Sequence, residues 1–170
     1  MGSNTEREDA SIAVRVSALT TDPVTGLPVV LLQDDVGRTI VPISIGLGEA
    51  SALAAEIDGI ELARPASHQL MATMLDHCGA RVLRAVVTGV DGGTFCAVVH
   101  VELPCGTLVV QDARPSDALA LALYTGAEIH VATCLADRAL QLDVGWDTVG
   151  TSEEDLLACL GDDAFGKWKM

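Results

Sequence analysis

Aromatic side chains are scarce in this chain: its 170 residues include two Trp, one Tyr and two Phe, and Phe95 is the only Phe or Trp between residues 10 and 136. That scarcity excludes an aromatic stacking platform for single strands over this span. Although 49% of the residues are apolar, no uninterrupted apolar run approaches the ~20 residues that a membrane-spanning helix needs. The N-terminus, Met1 to Asp9, is polar and acidic and lacks the basic start and apolar centre of a secretory signal. The expectation is a cytoplasmic protein with no membrane partner.

Several chemistries are also missing. There is no Cys-x-x-Cys or His-x-x-x-His pair, so a zinc site is not expected. The five cysteines (Cys78, Cys96, Cys105, Cys134 and Cys159) are odd in number and scattered, and they read as isolated buried thiols. No nucleophile elbow, phosphate loop or dinucleotide fingerprint occurs. Basic charge is short as well: 10 Lys and Arg stand against 24 Asp and Glu, a net charge of −14, whereas phosphate-backbone binding ordinarily draws on a basic surface. All six basic residues between residues 10 and 136 are arginines: Arg15, Arg38, Arg64, Arg81, Arg84 and Arg114. The planar guanidinium suits bidentate contact with phosphate or carboxylate.

What is present is a joint between a strand and a helix. Residues 107–112, Thr-Leu-Val-Val-Gln-Asp, read as a strand, Arg114-Pro115 as a turn, and Ser116-Asp117 as the opening of a helix that is apolar on nearly every face until Gly126. Pro115 suits a first helical turn, Ser116 or Asp117 is the expected cap, and Gly126 supplies the left-handed stop. A helix with no solvent face belongs in the core.

The rest of the chain reads as hairpins separated by short helices. Ile12, Val14 and Val16 alternate with polar or small residues as on a half-buried strand. Val29–Gln33 and Arg38–Ile45 flank a turn closed by Gly37, and Val82–Val90 and Thr94–Leu103 flank Asp91-Gly92-Gly93. Helices are expected at Glu49–Ile57 and from Ser67 to Gly79. In the second of these, Ser67 is the expected cap, and Leu70, Met71, Met74 and Leu75 are the expected core face. Glu128–Ala132 reads as a further strand.

These elements predict an α+β domain over residues 12–140: a mixed, largely antiparallel sheet built from hairpins with helices packed against it. A disordered tail is expected at 1–11. Residues 141–170 read as an acidic tail with a short helix behind the capping box Thr151-x-x-Glu154.

Chemistry-bearing residues gather at helix starts, where free amides and the helix dipole favour anions. Arg64 and Arg114 are the candidate anion clamps, each followed by proline; for Arg114 the alternative is a structural lock onto Asp112 or Asp117. Strand alternation with Leu108 and Val110 points Asp112 inward, where a carboxylate needs a partner. Asp112 and Asp117, with Glu49 or Glu56, could converge on Mg²⁺ or Mn²⁺; for Asp117 the competing role is helix capping. Ser67, His68 and Ser116 complete the candidate set, His68 as an acid or base beside a helix start.

Val41-Pro42-Ile43-Ser44-Ile45-Gly46 with Glu49-Ala50, then Arg64-Pro65 with Ser67-His68, and above all Asp112-Ala113-Arg114-Pro115-Ser116-Asp117-Ala118 with Gly126, resemble the bifunctional nuclease domain family. The resemblance covers about residues 12–140, and its motif at 112–118 is specific. It implies a compact mixed α/β domain that hydrolyses phosphodiester bonds in DNA and RNA. Carried onto the matching positions, it implies Asp112, Arg114, Asp117 and Glu49 as catalytic residues, with Arg64, Ser67, His68 and Ser116 binding substrate. Asp112 and Asp117 are the candidate metal ligands. The chain departs from a common family pattern in carrying a short acidic tail in place of a repair-protein-like helical hairpin. The alternative function is a non-catalytic module that binds an anionic small molecule or a protein partner. Exposed strand edges would allow a homo-oligomer.

Overall fold

In a computed structural model, which describes residues 10–22, 25–37, 40–60 and 63–140, both predicted hairpins form. The turn at Gly37 has φ +72°, a backbone angle that favours glycine, and Gly92-Gly93 closes the second hairpin. The strands are β1 (Ser11–Thr21), β2 (Pro28–Gln33), β3 (Ile40–Ser44), β4 (Arg81–Asp91), β5 (Thr94–Glu102), β6 (Leu108–Ala113) and β7 (Glu128–Ala132). Among the described residues four helices pack against them: α1 (Leu47–Ile57), α2 (Ser67–His77), α3 (Pro115–Thr125) and α4 (Thr133–Leu140). The sequence had not pointed to α4.

All seven strands join one sheet in the order β3-β2-β1-β7-β4-β5-β6. Every neighbouring pair is antiparallel except β4 and β7. The predicted α+β class, mixed and largely antiparallel, is what the chain adopts. The parallel contact arises because α3 crosses over the sheet and returns the chain as β7 between β1 and β4, joining the two hairpin systems into one surface.

On β5 the expected inward residues Phe95, Ala97, Val99 and Val101 are buried, and they belong to one cluster with Val87 of β4, Ile129 and Val131 of β7, and Leu119 and Ala122 of α3. Leu119 has no exposed surface, so its burial contributes about 2 kcal/mol. The apolar run from Ala118 to Ala122 is buried throughout, as its lack of a polar face requires. β1 keeps its alternation at Ile12, Val14 and Val16, after which a bulge between Val16 and Ala18 shifts the register and leaves Ala18 exposed.

Three expectations fail here. Asp112 does not point into the core: β6 is an edge strand, and its partly buried positions are Val109 and Ala113, while Leu108, Val110 and Asp112 are exposed. The register explains this. Ala113 lies opposite Ala97 in the helix-covered core, whereas Asp112 lies opposite Val98 on the other side of the sheet. On α2 the buried residues are His68 and Ala72, while Leu70, Met71 and Met74 stand 51%, 51% and 59% exposed. The helix is turned so that the side carrying His68 and Ala72 packs mainly against α3. Finally, the thiols are not buried: Cys78, Cys105 and Cys134 are exposed and Cys96 is half-buried. The capping box at Thr151, Cys159, Arg38 and residues 1–9 lie outside the described residues.

Candidate functional site

The site is built where the starts of α1 and α3 meet. Arg114 is the N-cap of α3, its backbone extended at φ −68° and ψ 146°, and Pro115 takes the first helical position, as the sequence required. With no side chain capping the helix, neither Ser116 nor Asp117 serves as the cap. Ser116 is instead buried as the helix enters the core. Asp117, in the first turn, accepts two hydrogen bonds from Arg114, Nε to Oδ2 at 2.7 Å and Nη2 to Oδ1 at 3.1 Å.

The other side of Arg114 is engaged by α1. Nη1 donates to Oε1 of Glu49 at 2.9 Å. Glu49 sits in the first turn of its own helix, and its side chain folds back over Gly46: a Cβ at Gly46 would lie only 2.3 Å from Oε2 of Glu49. Glycine at this position leaves the space that the carboxylate occupies. Side-chain exposures of 66% for Arg114, 49% for Asp117 and 30% for Glu49 place the trio at the surface. The hydrogen bonds that Arg114 donates to Asp117, then the charge of Asp117 and that of Glu49, raise the Arg114 pKa further, so the guanidinium is permanently charged.

A second polar cluster lies further along the same pair of helices. His68 Nε2 is 3.0 Å from Oε1 of Glu56, with side-chain exposures of 10% and 13%, and its ring meets that of Tyr124 edge-on at 6.3 Å. Glu56 and Tyr124 each follow Glu49 and Asp117 by seven residues, two helical turns or roughly 10 Å. α1 and α3 therefore run side by side, with Glu49–Arg114–Asp117 at their starts and Glu56–His68–Tyr124 two turns on.

The candidate residues are thus only partly united. Arg114, Glu49 and Asp117 touch. His68 belongs to the second cluster, where it joins α2 to α1, so it does not face the Arg114 site. Ser67 is the first residue of α2 rather than its cap, which is Ala66; the Ala66 amide donates to the Gln69 side chain at 2.8 Å. Arg64 is exposed and makes no contact with the trio. The similarity between Arg64-Pro65 and Arg114-Pro115 breaks down because α2 starts two residues after its proline, whereas α3 starts on it. Asp112, on the far side of the sheet, does not converge with Asp117.

This arrangement does not fit a carboxylate-held Mg²⁺ or Mn²⁺. Arg114 fills the space between the two carboxylates that it bonds, where a cation would have to sit. Among the described residues, no group of three or more His, Cys, Asp or Glu is placed to hold a metal. Nothing in the local pattern marked Gly46 as the seat of Glu49 or Tyr124 as a partner of His68; both emerge only from the helix pairing.

Among the described residues no helix is long and apolar enough to cross a membrane. Comparison with known families matches residues 30–142 to the bifunctional nuclease domain. Two curated relatives from Mycobacterium tuberculosis, the uncharacterized proteins MT1877 of strain CDC 1551 and Rv1829 of strain H37Rv, are each 30% identical over 156 residues, covering 92% of this chain and 90% of theirs.

Proposed function

Because the chain belongs to the bifunctional nuclease domain family, we propose that it hydrolyses phosphodiester bonds in DNA or RNA at the Arg114 site. The observation that carries this reading is the bridge from Arg114 to Glu49 and Asp117. A guanidinium has five N–H donors, and these three bonds leave two of them free for a phosphate oxygen.

The two carboxylates are not equivalent. Asp117 commits both oxygens to Arg114, while Glu49 commits only Oε1. Asp117 therefore orients the guanidinium, and Glu49 Oε2 accepts the proton of an attacking water. The water oxygen then bonds to phosphorus as the bond to the departing sugar oxygen breaks, and that oxygen takes a proton from solvent. Arg114 offsets the charge gathering on the phosphoryl oxygens. No step passes through a metal.

Purified protein is incubated with labelled single- and double-stranded DNA and RNA, with and without added Mg²⁺. Cleavage that disappears in Arg114→Ala and Glu49→Gln supports the assignment, and cleavage unchanged in both refutes it. Phosphate binding without cleavage would instead identify a non-catalytic anion-binding module. The same reading includes a homo-oligomer: β6 is a sheet edge with Leu108 and Val110 exposed, the kind of edge a second copy can pair with, and solution molar mass tests it.

A further inference from the structure

The last turns of α2, the start of β4 and the end of α3 line a cavity of about 310 Å³ that does not include the Arg114 site. The chain folds back sharply to make it. Gly79, at φ +71°, donates from its amide to the Asp76 carbonyl at 2.8 Å, and the Ala80 amide donates to the Leu75 carbonyl at 2.9 Å. Buried Ala72, Ala80 and Val82 supply apolar lining, Asp76 and Arg81 supply charge, and Tyr124, 43% exposed, adds an aromatic ring. At the low end of the roughly 300–1,000 Å³ usual for ligand pockets, the cavity has room for a single heterocycle.

Its polar groups are still open to a ligand. Among the described residues, the Asp76 carboxylate has no hydrogen-bond or ion-pair partner. Arg81 uses one N–H, Nη2 to Oε2 of Glu102 at 2.9 Å, and keeps four. Two carboxylates against one guanidinium leave the mouth net negative, which disfavours a phosphate. A neutral ring with both donors and acceptors on its edges matches it instead. Guanine offers two adjacent donors, N1–H and the N2 amino group, to the two oxygens of one carboxylate, and its O6 and N7 are the acceptors that an arginine fork binds. Adenine, cytosine and uracil present no such adjacent pair of donors.

We propose that this cavity receives one guanine base of a nucleic-acid strand and so gives the Arg114 site a sequence preference, an inference that rests on the phosphodiesterase reading for its substrate. Asp76 accepts from N1–H and the N2 amino group, Arg81 donates to O6 and N7, and the ring lies against Tyr124. A lone tyrosine is no platform for a strand, but one ring stacks one base. Tyr124 shares a face of α3 with Asp117, seven residues earlier and roughly 10 Å away. A strand with its scissile phosphate at Arg114 therefore reaches the cavity within a few nucleotides.

Guanosine, inosine, adenosine, cytidine and uridine are titrated into isotope-labelled full-length protein, and its amide NMR shifts are followed. Nucleosides carry no phosphate, so the readout is independent of Arg114 and of cleavage. Guanosine should shift the amides of Asp76, Arg81 and Tyr124 and bind about tenfold or more tightly than adenosine, cytidine or uridine, with inosine, which lacks the N2 amino group, in between. Asp76→Asn should lose guanosine and gain xanthosine, whose O2 accepts from the new side-chain amide; a merely structural role for Asp76 would give no such exchange. No shift with guanosine, equal binding of all the nucleosides, or shifts confined to another surface would each overturn the proposal, even where the protein cuts nucleic acid. Guanosine held in the cavity of a protein that cuts nothing supports the pocket and refutes the phosphodiesterase reading instead. The ranking on the unsubstituted protein decides the matter even if Asp76→Asn fails to fold.

Discussion

Glu49 and Arg114 lie 65 positions apart and meet at 2.9 Å, joining the first turns of two helices that run side by side. The pairing places a cation between two carboxylates at the surface and leaves two guanidinium donors open to solvent. Four expectations follow from this arrangement and from the seam behind it.

Arg114→Ala should abolish cleavage and weaken binding of a short oligonucleotide by roughly tenfold or more, as expected for losing one charged hydrogen-bonding partner. Its effect on stability should be slight, because the pair is exposed and such pairs contribute little. Arg114→Lys should rescue poorly, since an ammonium cannot hold both oxygens of Asp117 while reaching Glu49. Fluorescence anisotropy and a thermal melt together check both points.

Gly46→Ala isolates the positioning of Glu49. The new methyl group would occupy the space of Oε2, and because that atom ends a flexible side chain, the carboxylate should swing away at little cost to folding. The expected outcome is a fall in the cleavage rate with the melting temperature nearly unchanged. A rate equal to that of the unsubstituted protein would remove Glu49 from the mechanism.

Nucleic-acid affinity should depend only weakly on salt. One guanidinium neutralising one or two phosphates predicts a slope of log K against log salt near −1 to −2, far shallower than for proteins with a broad basic surface. The net charge of −14 points the same way. Binding titrations at several salt concentrations measure the slope directly, and a slope several times steeper would require a basic surface elsewhere.

The His68–Glu56 pair should matter for folding. Glu56→Ala leaves a nearly buried histidine without its carboxylate and should destabilise the protein by about 3 kcal/mol, read from denaturant unfolding. Glu56→Gln, which can still accept a hydrogen bond, should cost less. Neither change should alter the rate per folded molecule, because the pair sits two helical turns from Arg114.

Much of the fold was legible from short-range pattern. The hairpin at Asp91-Gly92-Gly93, the alternation of β5 from Phe95 to Val101, Pro115 at a helix start and Gly126 at its end each follow from local backbone chemistry. Where a side chain's neighbours come from distant segments, the pattern could mislead. β6 reads as apolar at Leu108 and Val110, but its edge position and its register with β5 turn those residues and Asp112 away from the core. Similarly, the apolar spacing of α2 suggested that Met71 and Met74 were buried, while its inward side, packed mainly on α3, carries His68 and Ala72.

The same division holds at the site. The sequence by itself determined which chemical groups were available: a lysine-free central region with six arginines, carboxylates at two helix starts, and a proline that ties Arg114 to the first turn of α3. Tertiary structure decided which of them meet. A side chain's partner depends on the relative placement of helices brought together by sheet topology, and that placement joined Arg114 to Glu49 and Asp117, sent Asp112 to the opposite face and drew His68 into the helix seam.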